Sequence, residues 1–177
     1  MREAGRIVAE CHQILSKKVK PGVATAELDQ IVEEHIRKRG ATPSFKGHQG
    51  FPGSICVAIN DVVVHGIPGE EKLEDGDIIT IDVGAFYKGF HGDSAWTYPV
   101  GKISKIAKDL MRTGEKCLEL GIGEALIGNR IGDIGRVIEE FARERERGVV
   151  RSFTGHGVGS ELWEDPPIPH YGGFRRG

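Results

Sequence analysis

Asp77-Ile-Ile-Thr-Ile-Asp82-Val-Gly-Ala-Phe-Tyr-Lys-Gly89-Phe-His-Gly-Asp93-Ser-Ala-Trp-Thr-Tyr98 is the stretch that decides the fold. Two apolar, strand-like runs flank Phe86-Tyr-Lys-Gly89, which reads as a hairpin turn. Each run carries one aspartate, and residues 82 and 93 are equally far from the centre of that turn. A short loop of the kind Lys88-Gly89 suggests sets them opposite one another or one register step away, with Cβ atoms roughly 4.5 to 5.5 Å apart. Like charges at that distance repel, and burial among Ile, Val and Trp adds a desolvation cost unless a proton or a cation lies between them. A divalent metal is the simplest remedy. A lone aspartate in such a run is more often a turn former or an acceptor for backbone N–H groups; the mirrored pair is what points to a metal or acid/base role.

Working outward, the 177 residues suffice for one domain, which buries about 70% of the surface its unfolded form exposes. A net charge of -2 gives no electrostatic case for a nucleic-acid partner or an anionic membrane. No apolar stretch approaches the roughly 18 residues of a membrane span, and the start, Met1-Arg-Glu-Ala-Gly5, lacks a signal-peptide core, so a cytoplasmic location is expected. Cys11, Cys56 and Cys117 are odd in number and far apart, which fits core packing rather than disulfides or a zinc knuckle. The 26 glycines are about twice the usual share, and many flank the chemically interesting residues.

Apolar spacing predicts a helix from about Arg2 to Ser16 and a second from about Thr25, a plausible N-cap, to Arg39, stopped by Gly40. Strand-like runs follow at Ser54–Asn60, Asp77–Ala85 and Phe90–Val100. A shift of 106 residues then lays Gly22 on Gly128, Leu28 on Ile134 and Glu33-Glu34 on Glu139-Glu140. Shared amphipathicity alone can produce such a match. A preceding helix-like stretch (Ile103–Leu120) and a following strand-like one (Val149–Phe153) favour a domain of two pseudo-symmetric halves, 1–100 and 101–177. By that repeat the second half is expected to lack its final hairpin.

His156, in Gly155-His-Gly-Val-Gly159, is the remaining candidate ligand, since imidazole suits Zn, Fe, Co or Mn beside carboxylates. A surface-loop histidine or a phosphate-binding loop is the alternative, although the run fits neither G-x-G-x-x-G nor a P-loop. His65, in Val62-Val-Val-His-Gly-Ile-Pro68, reads as the end of an apolar strand, where a buried, satisfied histidine is the commoner outcome.

Five segments in order, Ser44–Cys56, Val62–Pro68, Gly76–Gly84, Gly89–Ala95 and Val150–Gly159, resemble the signatures of type I methionine aminopeptidases, metallopeptidases of the pita-bread (creatinase/aminopeptidase-like) α+β fold. The resemblance covers nearly the whole chain. It implies removal of the N-terminal methionine from nascent proteins or peptides, by water activated at a centre of two divalent ions (Co, Mn, Fe or Zn). It makes Asp82, Asp93 and His156 metal ligands with Asp93 bridging, sets His65 against the substrate near its N-terminus as a catalytic residue, and places Phe45, His48, Phe51 and Cys56 at or near the methionine pocket. A ribosome-associated role is implied in the same way.

The chain departs from the pattern in three places. The family continues past Pro166–Tyr171 into a hairpin with two glutamate ligands, so three of five ligands are matched within 177 residues. Trp163 stands where the family has a histidine, and the family starts about ten residues earlier than Met1. The expectation is a chain shortened at both ends with weak or no activity. A non-catalytic pita-bread protein-binding module is the alternative, and proline-specific peptidases and creatine hydrolases are a third reading opposed by Phe45–Cys56.

Overall fold

The computed structural model describes residues 1–173, in two compact units: Met1–Ser104 with Val158–Leu162, and Lys105–Gly157 with the chain from Trp163 onward. The last four residues of the second half expected over 101–177 lie outside the described residues.

The first unit opens with α1 (Arg2–Lys18) and α2 (Thr25–Lys38). Ala4, Ile7, Val8, Cys11 and Leu15 recur at helical spacing along α1 and are buried, as are Leu28, Val32 and Ile36 along α2. Thr25 is the first helical residue rather than the N-cap. Ala24 holds the cap position, and its N–H is satisfied by Glu27 Oε1 at 3.1 Å, while Thr25 exchanges hydrogen bonds with the backbone of Gly69.

The helices are followed by β1 (Thr42–Pro43), β2 (Ile55–Ile59), β3 (Ile78–Tyr87) and β4 (Phe90–Pro99), all antiparallel. β3 is the spine: β4 pairs along one edge, and β2 and β1 follow one another along the other. Ile79, Ile81, Val83 and Ala85 alternate along β3, are wholly buried and share one core with the apolar residues of α1 and α2. Asp82 belongs to the other set of alternating residues, on the opposite face of the sheet. Gly92 lets α1 approach β4, since a Cβ there would stand 2.6 Å from Gly5 N and 2.7 Å from Ala4 C.

Val62, Val63 and Val64 do not form the expected strand. Left-handed Asn60 (φ 52°) turns the chain out of the sheet after β2, and these three β-branched residues are exposed in the loop that follows. Only Gly66 returns to the edge, where Val57 N–H donates to its carbonyl at 3.0 Å.

The second unit contains α3 (Lys105–Glu124), α4 (Ile131–Glu144) and a short antiparallel pair, β5 (Gly155–Gly157) with β6 (Glu164–Ile168). The expected strand at Val149–Phe153 is irregular backbone with both Val150 and Phe153 exposed; pairing begins two residues later, at Gly155. The 106-residue shift carries α2 onto α4 residue for residue. Gly22 and Gly128 both take left-handed φ, at 87° and 99°. Asp133 Oδ2 accepts the Arg130 N–H at 2.8 Å, as Glu27 does for Ala24, so the two helices share their capping chemistry as well as their apolar spacing.

Candidate metal centre and apolar pocket

Lys88 and Gly89 alone form the turn between β3 and β4, both at positive φ (48° and 84°), as a two-residue hairpin loop requires. This tight turn pairs Tyr87 with Phe90 and moves the register from the mirrored arrangement: Asp82 lies across from Ala95 and Asp93 across from Gly84. Of the two spacings expected, the structure takes the diagonal one. The side chains remain on one face, and the carboxyls still meet. Asp93 is hydrogen-bonded to Asp82, and burial, followed by the charge of Asp82, holds its carboxyl far above the ordinary carboxylate range. Asp82 Oδ1 is shut off from solvent.

This donor set fits a divalent cation. Two carboxyls that otherwise share a proton are compensated equally well by a positive ion between them, and hard oxygen donors suit Mn, Fe, Co and Zn. Among the described residues no group of three or more His, Cys, Asp or Glu side chains is gathered at metal-binding distances.

Beside the pair on β2, Cys56 is the cross-strand partner of Asp82. It is buried in a small apolar cluster with Phe45 and Leu162, and Phe51 packs against its edge. Phe45 lies over Gly84, where a Cβ would come within 2.8 Å of the ring. Burial first, then the charges of Asp82 and Asp93, push the Cys56 thiol up to about 12, so it is a neutral lining group. Three of the four pocket residues expected from the sequence are thus brought together. His48 is exposed in the single turn of 3-10 helix His48–Gly50, and His65 is exposed at φ 61° rather than buried at a strand end.

The sequence reading missed two contributors. Leu162 carries no motif and reaches the cluster through Val158–Leu162. His91 hydrogen-bonds the Ser44 hydroxyl through Nδ1 at 2.9 Å, and its backbone N–H donates to the Gly159 carbonyl at 2.8 Å.

In the second unit, His156 is half-buried on β5, its ring 5.5 Å from that of Trp163, which is exposed. Nδ1 lies 2.9 Å from the Gly157 carbonyl. A carbonyl only accepts, so this contact is a hydrogen bond when Nδ1 carries a proton, which leaves Nε2 as the ring nitrogen available to a metal in the neutral ring.

A profile of metallopeptidase family M24 matches residues 1–176. Methionine aminopeptidase 1 of Bacillus subtilis is 55% identical over 177 residues, which are the whole of this chain and 71% of that protein. Crystal structures of methionine aminopeptidases from Thermotoga maritima and Rickettsia prowazekii superpose with a TM-score of 0.95 each. The first is 40% identical, covering 100% of this chain and 72% of that one; the second is 37% identical, covering 99% and 71%.

Proposed function

The chain belongs to the methionine aminopeptidases of metallopeptidase family M24, and on that premise we propose that it cleaves the first peptide bond of peptides and nascent proteins that begin with methionine, the latter as they leave the ribosome. The observation that carries the reading is the placement of the Asp82–Asp93 pair and the Phe45, Phe51, Cys56 and Leu162 cluster on one face of one sheet. Asp82 and Asp93 would hold divalent ions, and His156 would offer a further nitrogen ligand. Such ions, when bound, supply Lewis-acid activation of water and of the scissile carbonyl.

The chain's own residues select and orient. The apolar cluster takes the methionine side chain, where each missing methylene costs a competitor about 1 to 3 kcal/mol. Cys56 contributes a neutral, polarisable wall, and His48 stands at the rim. His65, on an exposed left-handed turn, contacts the substrate near its N-terminus. The matching helices α2 and α4 support a single domain with two pseudo-symmetric halves.

The test is methionine release from Met-Ala-Ser by the Mn-loaded chain, with calorimetric titration of the metal-free chain and Asp93→Asn as control. Mn binding and slow peptide cleavage, both lost in the control, are expected. One weak equivalent or none, with no cleavage, overturns the reading in favour of a non-catalytic protein-binding module.

A further inference from the structure

The loop between β1 and β2, residues 44–54, carries Phe45, His48 and Phe51. Its shape is set by its own backbone: Gly47 N–H donates to Phe51 O at 2.8 Å and Phe51 N–H to His48 O at 2.9 Å, with Gly47, Gln49 and Gly50 all at positive φ. Ser44 N–H, bound to Gly84 O at 3.0 Å, ties the start of the loop to β3. These bonds make the loop compact but leave its approach to the sheet face open.

Two carboxylates of α2 supply that constraint. Asp29 Oδ1 accepts from Ser54 N–H at 2.7 Å and from Ile55 N–H at 2.9 Å, where the loop enters β2. Glu33, one turn further along α2, divides its oxygens. Oε1 takes Arg37 of its own helix at 2.8 Å, while Oε2 accepts from Lys46 Nζ at 2.5 Å and from the buried Ser54 hydroxyl at 3.1 Å. One oxygen therefore holds both ends of the loop. Lys46 is the main reason that the Glu33 carboxyl is held down to about 2.

We propose that Asp29 and Glu33 are positioning residues for substrate selection: they clamp loop 44–54 to α2 and so set the width of the pocket formed by Phe45 and Phe51. This rests on the reading above that the pocket receives the methionine side chain. The two carboxylates hold the loop through Lys46, Ser54 and Ile55, and their effect on the pocket passes through these residues.

Glu33→Gln keeps an acceptor for Ser54 and removes the charge that holds Lys46; Lys46→Met breaks the same contact from an exposed side chain. Both variants and the wild-type chain are compared by amide hydrogen exchange, by titration with free L-methionine, and by thermal melting. The expectation is about tenfold faster exchange at Gly47 and Phe51 and about tenfold weaker L-methionine binding, as for one lost charge-assisted hydrogen bond, with a single cooperative melt retained at a modestly lower temperature. Unchanged exchange in both variants overturns the clamp. Faster exchange with unchanged affinity overturns its role in selection. A wild-type chain that does not bind L-methionine overturns the pocket reading itself, and the exchange comparison then still decides whether the clamp exists.

Discussion

Asp82 and Asp93 are diagonal neighbours on one face of the β3–β4 ladder, each lying across from a residue without a polar side chain, Ala95 and Gly84 respectively. The offset comes from the two-residue turn at Lys88-Gly89, and it still brings the carboxyls together, so that burial and the charge of Asp82 raise Asp93 to about 8. Asp93→Asn removes the repulsion, so the metal-free variant is expected to melt at a higher temperature than wild type at pH 8. Mn at about one hundred times its Kd should then add about 2.7 kcal/mol to the wild type and nothing to the variant. Thermal melts of both proteins with and without Mn check this, and a variant that gains equally from Mn removes Asp93 from the ligand set.

Two glycines of this hairpin differ in what surrounds them. Alanine at Gly84 meets the Phe45 ring, which can turn, and Ser44 Cβ, which moves only with its backbone, at 2.8 Å each, whereas alanine at Gly92 meets the α1 backbone at 2.6 Å. Gly84→Ala is expected to cost about 1 to 3 kcal/mol, and Gly92→Ala more, because helix backbone cannot step aside without disturbing the main core. Urea unfolding of the two variants gives the order. Gly84→Ala should also lower affinity for L-methionine by displacing Phe45.

The three thiols should differ in reactivity. Cys11 and Cys56 are buried, and burial first pushes both thiols up to about 12, while Cys117 is only part-buried. Since the thiolate is the nucleophile, iodoacetamide at pH 8 should label Cys117 well before the other two. Mass spectrometry of timed digests reads this directly, and early labelling of Cys56 would show that the apolar cluster is open.

Acid should destabilise the first unit in two stages. Burial holds His12 below its ordinary value of 6.5, while its bond to the Ser94 backbone opposes the shift, so its contribution is present above pH 6.5 and is lost as pH falls through the lower folded value. Glu33, held down to about 2 from 4.5, contributes stability above pH 4.5 that is lost as pH falls towards 2. Urea midpoints of the metal-free Asp93→Asn protein, which lacks the opposing gain from protonating Asp93 below about pH 8, should fall below pH 6.5 and again below pH 4.5. Adding His12→Ala should remove the first step, and adding Glu33→Gln should shrink the second, to which Glu10, held low by Arg39 and His35, also contributes.

The helices and the hairpin were legible because the forces that form them act over a few residues. The i, i+3, i+4 apolar spacing and the acid at the third helical position mark both α2 and α4, and Lys88-Gly89 between alternating runs marks the turn. Local rules misled where tertiary structure chose otherwise. Val62-Val-Val64 has strong β-propensity, yet at that edge only Gly66 pairs with β2 and the valines face solvent.

By itself, then, the sequence determined the paired aspartates, the repeated helix and the family-like segments around them, all set by period, capping and turn chemistry within short spans. Only the tertiary structure decided the diagonal register of Asp82 and Asp93, the face they occupy opposite the helices, and the roles of Leu162, Asp29 and Glu33. Those depend on which distant residues come into contact: Asp29 meets Ser54 and Glu33 meets Lys46 because α2 packs beside β2, and no local pattern records a contact made across so many residues of intervening chain.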